Sequence, residues 1–469
     1  MKYNRNIRGN ELRKINGKYE SRYLHDAEYV FDALNKVSDC FCLAKWYNVS
    51  LHLPTGKTHS CYHPKSHVIP LEELEKNPGA LHNTEHKKKQ RKLMLEGQRP
   101  KECNFCWQVE DHSTQLSDRA YRSKDVFTPE LIEEAKKLGF EGNPNPRYLE
   151  VNFNQACNFK CAYCSPILST EWNKEIDKFG PYYLQDSKHN DTTYMEKPNN
   201  SPDNPYVKAF WQWFPEIYPT LQTFRMTGGE PLMDKNTFKI FDFIKNNPKE
   251  DLHLSITSNC CPPKGQWNKF IDSMKDVSKN VDHFMLFCSL DSWGQQAEYI
   301  RNGMDFDKLL ANVKTYLESC DRHSLTFIIT FNVLSYSGIF NYIKNILQLR
   351  KQYSNDRQMI WFDIPQLTNP DFMNPKLYTQ GINELTRCIE FMERNKDGET
   401  EKEFQGFSDF EIKKVQRLID WIIAPTEFDV KKASKNFHKF FEEHDKRRST
   451  DFLTCFPEME NFWMDCANG

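Results

Sequence analysis

Six short runs with strand character recur between residues 147 and 365, at 148–153, 223–227, 253–257, 284–290, 325–333 and 359–364. Helical periodicity fills the intervals, at 169–176, 234–246, 266–275, 306–319 and 339–352. Strands that alternate with helices demand parallel βαβ units joined by right-handed crossovers. In closed or nearly closed versions of that architecture the chemistry lies at the C-terminal ends of the strands. The residues just after each strand run are therefore where function is expected.

The first strand run leads into Cys157-Asn158-Phe159-Lys160-Cys161-Ala162-Tyr163-Cys164. Three cysteines at C-x3-C-x2-C spacing can converge on one metal centre without completing it. A [4Fe–4S] cube takes four protein ligands, so three thiolates leave one iron open for a further ligand, as open metal sites do. A zinc knuckle or three buried thiols is the plainer reading, but zinc prefers a fourth Cys or His close by. The nearest downstream histidine is His189.

The second strand run ends in Gly228-Gly229-Glu230, where paired glycines allow close backbone approach and Glu230 offers a carboxylate. The third ends in Thr257-Ser258-Asn259 and the fourth in Ser289-Leu290-Asp291, with Arg301 ten residues on. Loop capping and surface pairing are the plainer readings of these last groups. Asn332, near the end of the fifth run, is a weaker candidate of the same kind.

These motifs resemble the radical S-adenosylmethionine (SAM) superfamily, including the aromatic Tyr163 before the third cysteine. The resemblance implies an α/β fold, a partial (β/α)6 barrel. It implies a [4Fe–4S] cluster on Cys157, Cys161 and Cys164, and SAM chelated at the open iron. Gly228, Gly229 and Glu230 would bind the amino group of SAM. Thr257, Ser258, Asn259, Ser289 and Asp291 would contact its ribose or methionine part, and Arg301 its carboxylate. Reductive cleavage of SAM to a 5′-deoxyadenosyl radical, with flavodoxin or ferredoxin as electron donor, is the implied activity. The cofactor carries that chemistry and the protein orients and shields it.

Ahead of the barrel, 49–53 and 58–61 read as a hairpin around Pro54-Thr55-Gly56-Lys57. Helical runs follow at 70–77 and 82–96, and then Cys103-Asn104-Phe105-Cys106 opens another helix. Cys42, Cys61, Cys103 and Cys106 together make a complete four-thiolate set, for zinc or a fully ligated cluster. Cys40 is a rival to Cys42. The pattern resembles the twitch and SPASM auxiliary-cluster modules, here placed N-terminal to the barrel, and in that setting favours a second [4Fe–4S] cluster over zinc. It also makes a peptide or protein the leading substrate. A nucleotide, sugar or nucleic-acid substrate and a non-catalytic iron–sulfur or zinc scaffold are the other classes.

The expected organisation is a polar segment over 1–40, the cysteine-rich module over 41–125, a helix and linker over 126–146, the barrel over 147–365, and C-terminal helices with an aromatic tail over 366–469. Fifteen cysteines and no apolar leader among the first ten residues suit a reducing, cytoplasmic setting. No apolar run is long enough to span a membrane. A net charge of −2 gives no drive toward nucleic acid. The basic run 86–92 is expected to be a solvated helix face, with a phosphate-contacting patch as the alternative. The insertion 179–204 reads as a lid or a structureless loop, and the aromatic cluster 210–218 as packing surface, with a substrate-facing wall as the alternative. The aromatic tail is expected to cover an open barrel edge, with Cys455 or Cys466 as remote candidates for a ligand.

Overall fold

The computed structural model describes residues 12–15, 18–21, 25–319, 323–355, 358–397 and 405–468. Much of the first half of the polar segment expected over 1–40 falls outside these residues. Among the described residues one large sheet dominates. Its strands are β1 (Asn48–His52), β2 (Lys57–His59), β3 (His67–Val68), β4 (Tyr148–Asn152), β5 (Thr223–Thr227), β6 (Lys249–Ser258), β7 (Val281–Ser289), β8 (His323–Ile328) and β9 (Ile360–Asp363). The order across it is β9-β8-β7-β6-β5-β4-β1-β2-β3. From β4 to β9 every neighbouring pair is parallel and in chain order, which is a partial α/β barrel.

Alternation along each strand builds this shape. On β7, Phe284, Leu286 and Cys288 are buried under the helices, while His283, Met285 and Phe287 face the concave side. Phe284 packs on Phe270 and Tyr316 of the flanking helices Gln266–Val277 and Phe306–Ser319. Truncating such a side chain to Ala costs about 3–5 kcal/mol. Strand β8 stops at Ile328, short of the expected 333. Beyond it, Asp291 takes the Thr330 N–H at 2.9 Å, and Asn332 caps its own turn through Leu334 N and Thr330 O. Side-chain capping replaces the ladder there.

Three placements differ from the sequence expectation. First, β1 pairs antiparallel with β2 as the hairpin requires, but also parallel with β4, from Asn48–Tyr148 to His52–Asn152. The cysteine-rich segment thus continues the barrel sheet. Second, the 86–92 run is neither a solvated face nor a phosphate patch throughout. Lys87 and Arg91 lie one turn apart on the buried side of the Glu85–Leu95 helix. Lys87 Nζ donates to Asn48 O (2.8 Å), and Arg91 donates to the carbonyls of Lys45 and Gly142. Third, the free edge of β9 is covered by the Asp409–Ile423 helix, through Lys414–Asp363 at 2.7 Å, and not by the tail. The tail packs on the Val430–Arg448 helix through Phe437, Phe452 and Trp463, with Cys466 buried in that cluster.

The 210–218 aromatics are packing surface, with Phe210, Trp213 and Phe214 fully enclosed. The insertion forms a two-stranded ribbon, Tyr182–Tyr183 with Lys188–His189, seated on the same C-terminal helix by Tyr182 and Phe440. No helix among the described residues is long and apolar enough to cross a membrane.

Candidate functional site

The three-cysteine loop leaves the end of β4 and is held mainly through its backbone. Thr170 Oγ1 donates to Cys157 O (3.1 Å), Ser169 Oγ to Phe159 O (2.5 Å), and Trp172 Nε1 to Cys161 O (2.9 Å). Lys160 N and Ala162 N donate to Asn302 O and Ile300 O. Asn190, in the insertion, donates to Cys164 O (3.1 Å), and Arg448, on the C-terminal helix, to Lys160 O (2.9 Å). Two sulfurs already receive donors: Phe159 N reaches Cys157 Sγ (3.4 Å) and Arg301 Nη1 reaches Cys161 Sγ (3.7 Å). Burial pushes all three thiols up, Cys164 to about 12, so metal loading must displace protons.

The glycine turn after β5 lies against this loop. Glu230 N donates to Ala156 O at 2.6 Å. A Cβ on Gly229 would stand 2.4 Å from that same oxygen, and Gly228 sits at φ +131°. Only glycine fits both demands. Glu230 is 1% exposed and accepts from Leu232 N (3.0 Å), Ser258 Oγ (2.8 Å) and Asn259 N (2.7 Å). Burial outweighs these donors and pushes its carboxyl up to about 7.

After β7, Asp291 accepts from Tyr163 Oη (2.7 Å) and pairs with Arg301 through Nε (2.8 Å) and Nη2 (3.1 Å). Arg301 is thereby committed to Asp291 and Cys161. Asn259 Nδ2 reaches Asn158 Oδ1 within the cysteine loop (2.9 Å), and Ser289 is half-buried at the same strand end. Thr257 is set apart, since its hydroxyl accepts from Arg225 on the barrel interior (3.0 Å).

These residues fit a cluster with SAM. Three thiols stand on one braced loop, and a fixed carboxylate lies beside a glycine cradle. Asn152 Oδ1 and Gln155 Oε1 are buried at the end of β4 without a hydrogen-bond partner. Such acceptors suit a donor-bearing ligand.

Cys42, Cys61, Cys103 and Cys106 line one small cavity, together with Lys45, Trp107, Arg119 and Arg122. Cys103 caps the Asn104–His112 helix, Cys61 follows β2, and Cys42 precedes a helical turn at Ala44–Tyr47. Burial pushes Cys103 and Cys106 up to about 12. Buried Lys45 pairs with Glu102, which holds His86 at 2.7 Å. Cys40 is turned away, toward Met94 O and Gln98 O. Four thiols beside cationic side chains are, as a donor set, of the kind an anionic metal–thiolate centre uses. Among the described residues no three Cys, His, Asp or Glu side chains are arranged to hold a single metal ion.

A cavity of about 680 Å³ on the concave face of the sheet adjoins this second site. Arg122 borders both cavities, with its guanidinium 4.8 Å from the ring centre of Tyr62. Inside the large cavity, Tyr62 Oη donates to Glu150 (2.7 Å) and meets Tyr148 Oη (3.0 Å). Arg225 stacks on Phe287 at 4.6 Å and its Nε lacks a hydrogen-bond partner. Tyr62, Arg122, Glu150 and Arg225 were not among the sequence candidates. Their signal was present, since Glu150 and Arg225 are charged residues at inward positions of otherwise apolar strands. Trp172, Asn190 and Arg448 gave no such signal.

No model of a known protein family matches the chain. It is 29% identical over 119 residues to the GTP 3′,8-cyclase of Campylobacter lari, a match covering 25% of this chain and 29% of that protein. It is 30% identical over 112 residues to the GTP 3′,8-cyclase of Trichodesmium erythraeum, covering 24% and 27%. The match therefore spans less than a third of those relatives. Among solved structures, Streptococcus suis SuiB bound to S-adenosylmethionine aligns with a TM-score of 0.36 at 13% identity, covering 65% of this chain and 62% of that one. A spore photoproduct lyase aligns with a TM-score of 0.29 at 13% identity, covering 59% and 78%.

The cysteine loop and the Gly-Gly-Glu turn lie together at the ends of neighbouring strands of a parallel partial barrel. The similarity to the cyclases, over about a quarter of the chain, supports the resemblance of these motifs to the radical SAM superfamily.

Proposed function

We propose that the protein is an enzyme that holds a [4Fe–4S] cluster on Cys157, Cys161 and Cys164 and uses it with SAM to remove hydrogen from a substrate. The observation that carries this reading is the braced three-thiol loop lying directly against the Gly228–Glu230 turn. Bound together, cluster and SAM supply reductive cleavage to a carbon-centred radical. Glu230, fixed by three donors, would receive the SAM ammonium group, and Asn152 and Gln155 would offer acceptors to its other donors. The Asp291–Arg301 pair keeps Tyr163 and Cys161 in place. Helices and the sheet exclude water behind them.

The substrate proposed is a peptide or protein side chain. The four-cysteine site is proposed as an auxiliary [4Fe–4S] cluster, with zinc as the alternative occupant. A cytoplasmic setting and flavodoxin or ferredoxin as electron donor belong to the same reading. A nucleotide substrate is the second reading, favoured by the name of the curated relatives. Its support in the basic run is reduced, because Lys87 and Arg91 are buried.

The test is 5′-deoxyadenosine formation by anaerobically reconstituted protein given SAM and a strong reductant, beside a Cys161→Ala variant. Product in the wild type alone is expected. Equal amounts in both would remove the three-cysteine loop from the reaction, and none in either, with cluster and SAM bound, would favour the scaffold reading.

A further inference from the structure

The C-terminal helix Val430–Arg448 ends beside the three-cysteine loop, 288 residues away in the chain. Ser449 adopts a left-handed turn (φ +54°) and closes the helix there. The Arg448 side chain is 1% exposed. Its Nη1 donates to Lys160 O at 2.9 Å, while Nε and Nη2 each reach an oxygen of Glu175 at 3.1 Å. Its guanidinium lies 4.8 Å from the ring centre of Trp172, whose Nε1 holds the Cys161 carbonyl. Glu175 also receives Lys160 Nζ (2.5 Å) and Tyr182 Oη (2.5 Å). The adjacent Arg447 donates to Gly180 O and Pro181 O, at the start of the insertion.

We propose that Arg448 is a positioning residue for the three-cysteine loop, and that its charge raises the reduction potential of the cluster held there. Two cations, Lys160 and Arg448, share one carboxylate, Glu175, so the Arg448 charge beside the loop is only partly matched there. In a buried setting that charge acts at several-fold the strength it has in water. It favours the more negative, reduced state of a neighbouring cluster. The C-terminal region is thereby part of the redox machinery. The inference rests on the cluster assignment made above.

Full-length R448Q and R448K are compared with the wild type. Amide hydrogen exchange across residues 158–164 is measured in metal-free protein, and iron content and midpoint potential after anaerobic reconstitution. In R448Q the loop exchange is expected to quicken by about tenfold or more, as loss of hydrogen bonds from a charged donor predicts. Its midpoint is expected to become more negative at wild-type iron content. R448K restores the charge but not the fork, so it keeps most of the midpoint while the loop exchange stays fast. Unchanged exchange in both variants overturns the positioning role, and an unchanged midpoint in R448Q overturns the electrostatic one. Should R448Q fail to fold, wild-type exchange in R448K overturns the proposal alone. Equal iron in wild type and Cys161→Ala would sink the cluster assignment instead, and metal-free exchange would still decide the clamp.

Discussion

The two cysteine sites are built in opposite ways. Cys157, Cys161 and Cys164 sit on eight consecutive residues whose carbonyls are gripped from outside. Cys42, Cys61 and the Cys103–Cys106 pair come from three separated segments and meet only once β2 and the Asn104–His112 helix are in place. The first keeps buried acceptors without partners nearby, at Asn152 and Gln155. The second is walled by Lys45, Arg119 and Arg122. An open centre needs a preset loop and spare hydrogen-bonding capacity. A closed one needs enough ligands and compensating charge.

The largest expected effect that separates them is at the loop. Replacing Cys157, Cys161 or Cys164 by Ala should remove about four irons and all SAM cleavage, while the four-cysteine site keeps its metal. Iron analysis with a cleavage assay checks this, and retained cleavage in all three variants breaks the contrast. Next is Cys103→Ala, which should lose about four irons from the second site yet leave SAM bound. Release of zinc at constant iron would show a different metal there.

Gly229→Ala should then destabilise the fold by about 1–3 kcal/mol, the usual scale for overpacking, because its Cβ would stand 2.4 Å from Ala156 O. Thermal melting measures this, and an unchanged melting temperature would mean the turn can give way. Last comes the proton on Glu230. Its carboxyl, held up to about 7 by burial, is largely neutral in acid and charged in mild base. An ammonium group gains from the charged form alone, so SAM affinity should weaken as pH falls through about 7. Glu230→Gln should bind weakly at every pH and lose that slope. Titration calorimetry at several pH values reads both, and a slope surviving in Glu230→Gln would point to another group.

Much of the barrel was legible because its strands alternate, as Phe284, Leu286 and Cys288 do against His283, Met285 and Phe287. The three-cysteine loop was legible because its chemistry is contiguous. What stayed hidden depends on partners. Periodicity marks β1 as a strand but does not say that β4 is its neighbour. Lys87 and Arg91 read as surface charges because nothing local reveals the carbonyls of Asn48, Lys45 and Gly142 waiting beneath them. Asn332 looked like a ligand residue, yet its amide serves its own turn.

The parallel pairing of β1 with β4 bears on how this chain can be cut and how it is made. Removing everything ahead of β4 would not release an intact barrel. It would lay bare one side of Tyr148–Asn152, a strand bordered on its other side by β5. Unsatisfied strand edges recruit other chains. The amino-terminal hairpin is therefore also an edge guard. During synthesis β1 must wait for about a hundred residues to emerge before its parallel partner exists, an interval in which its own edge is covered only by β2.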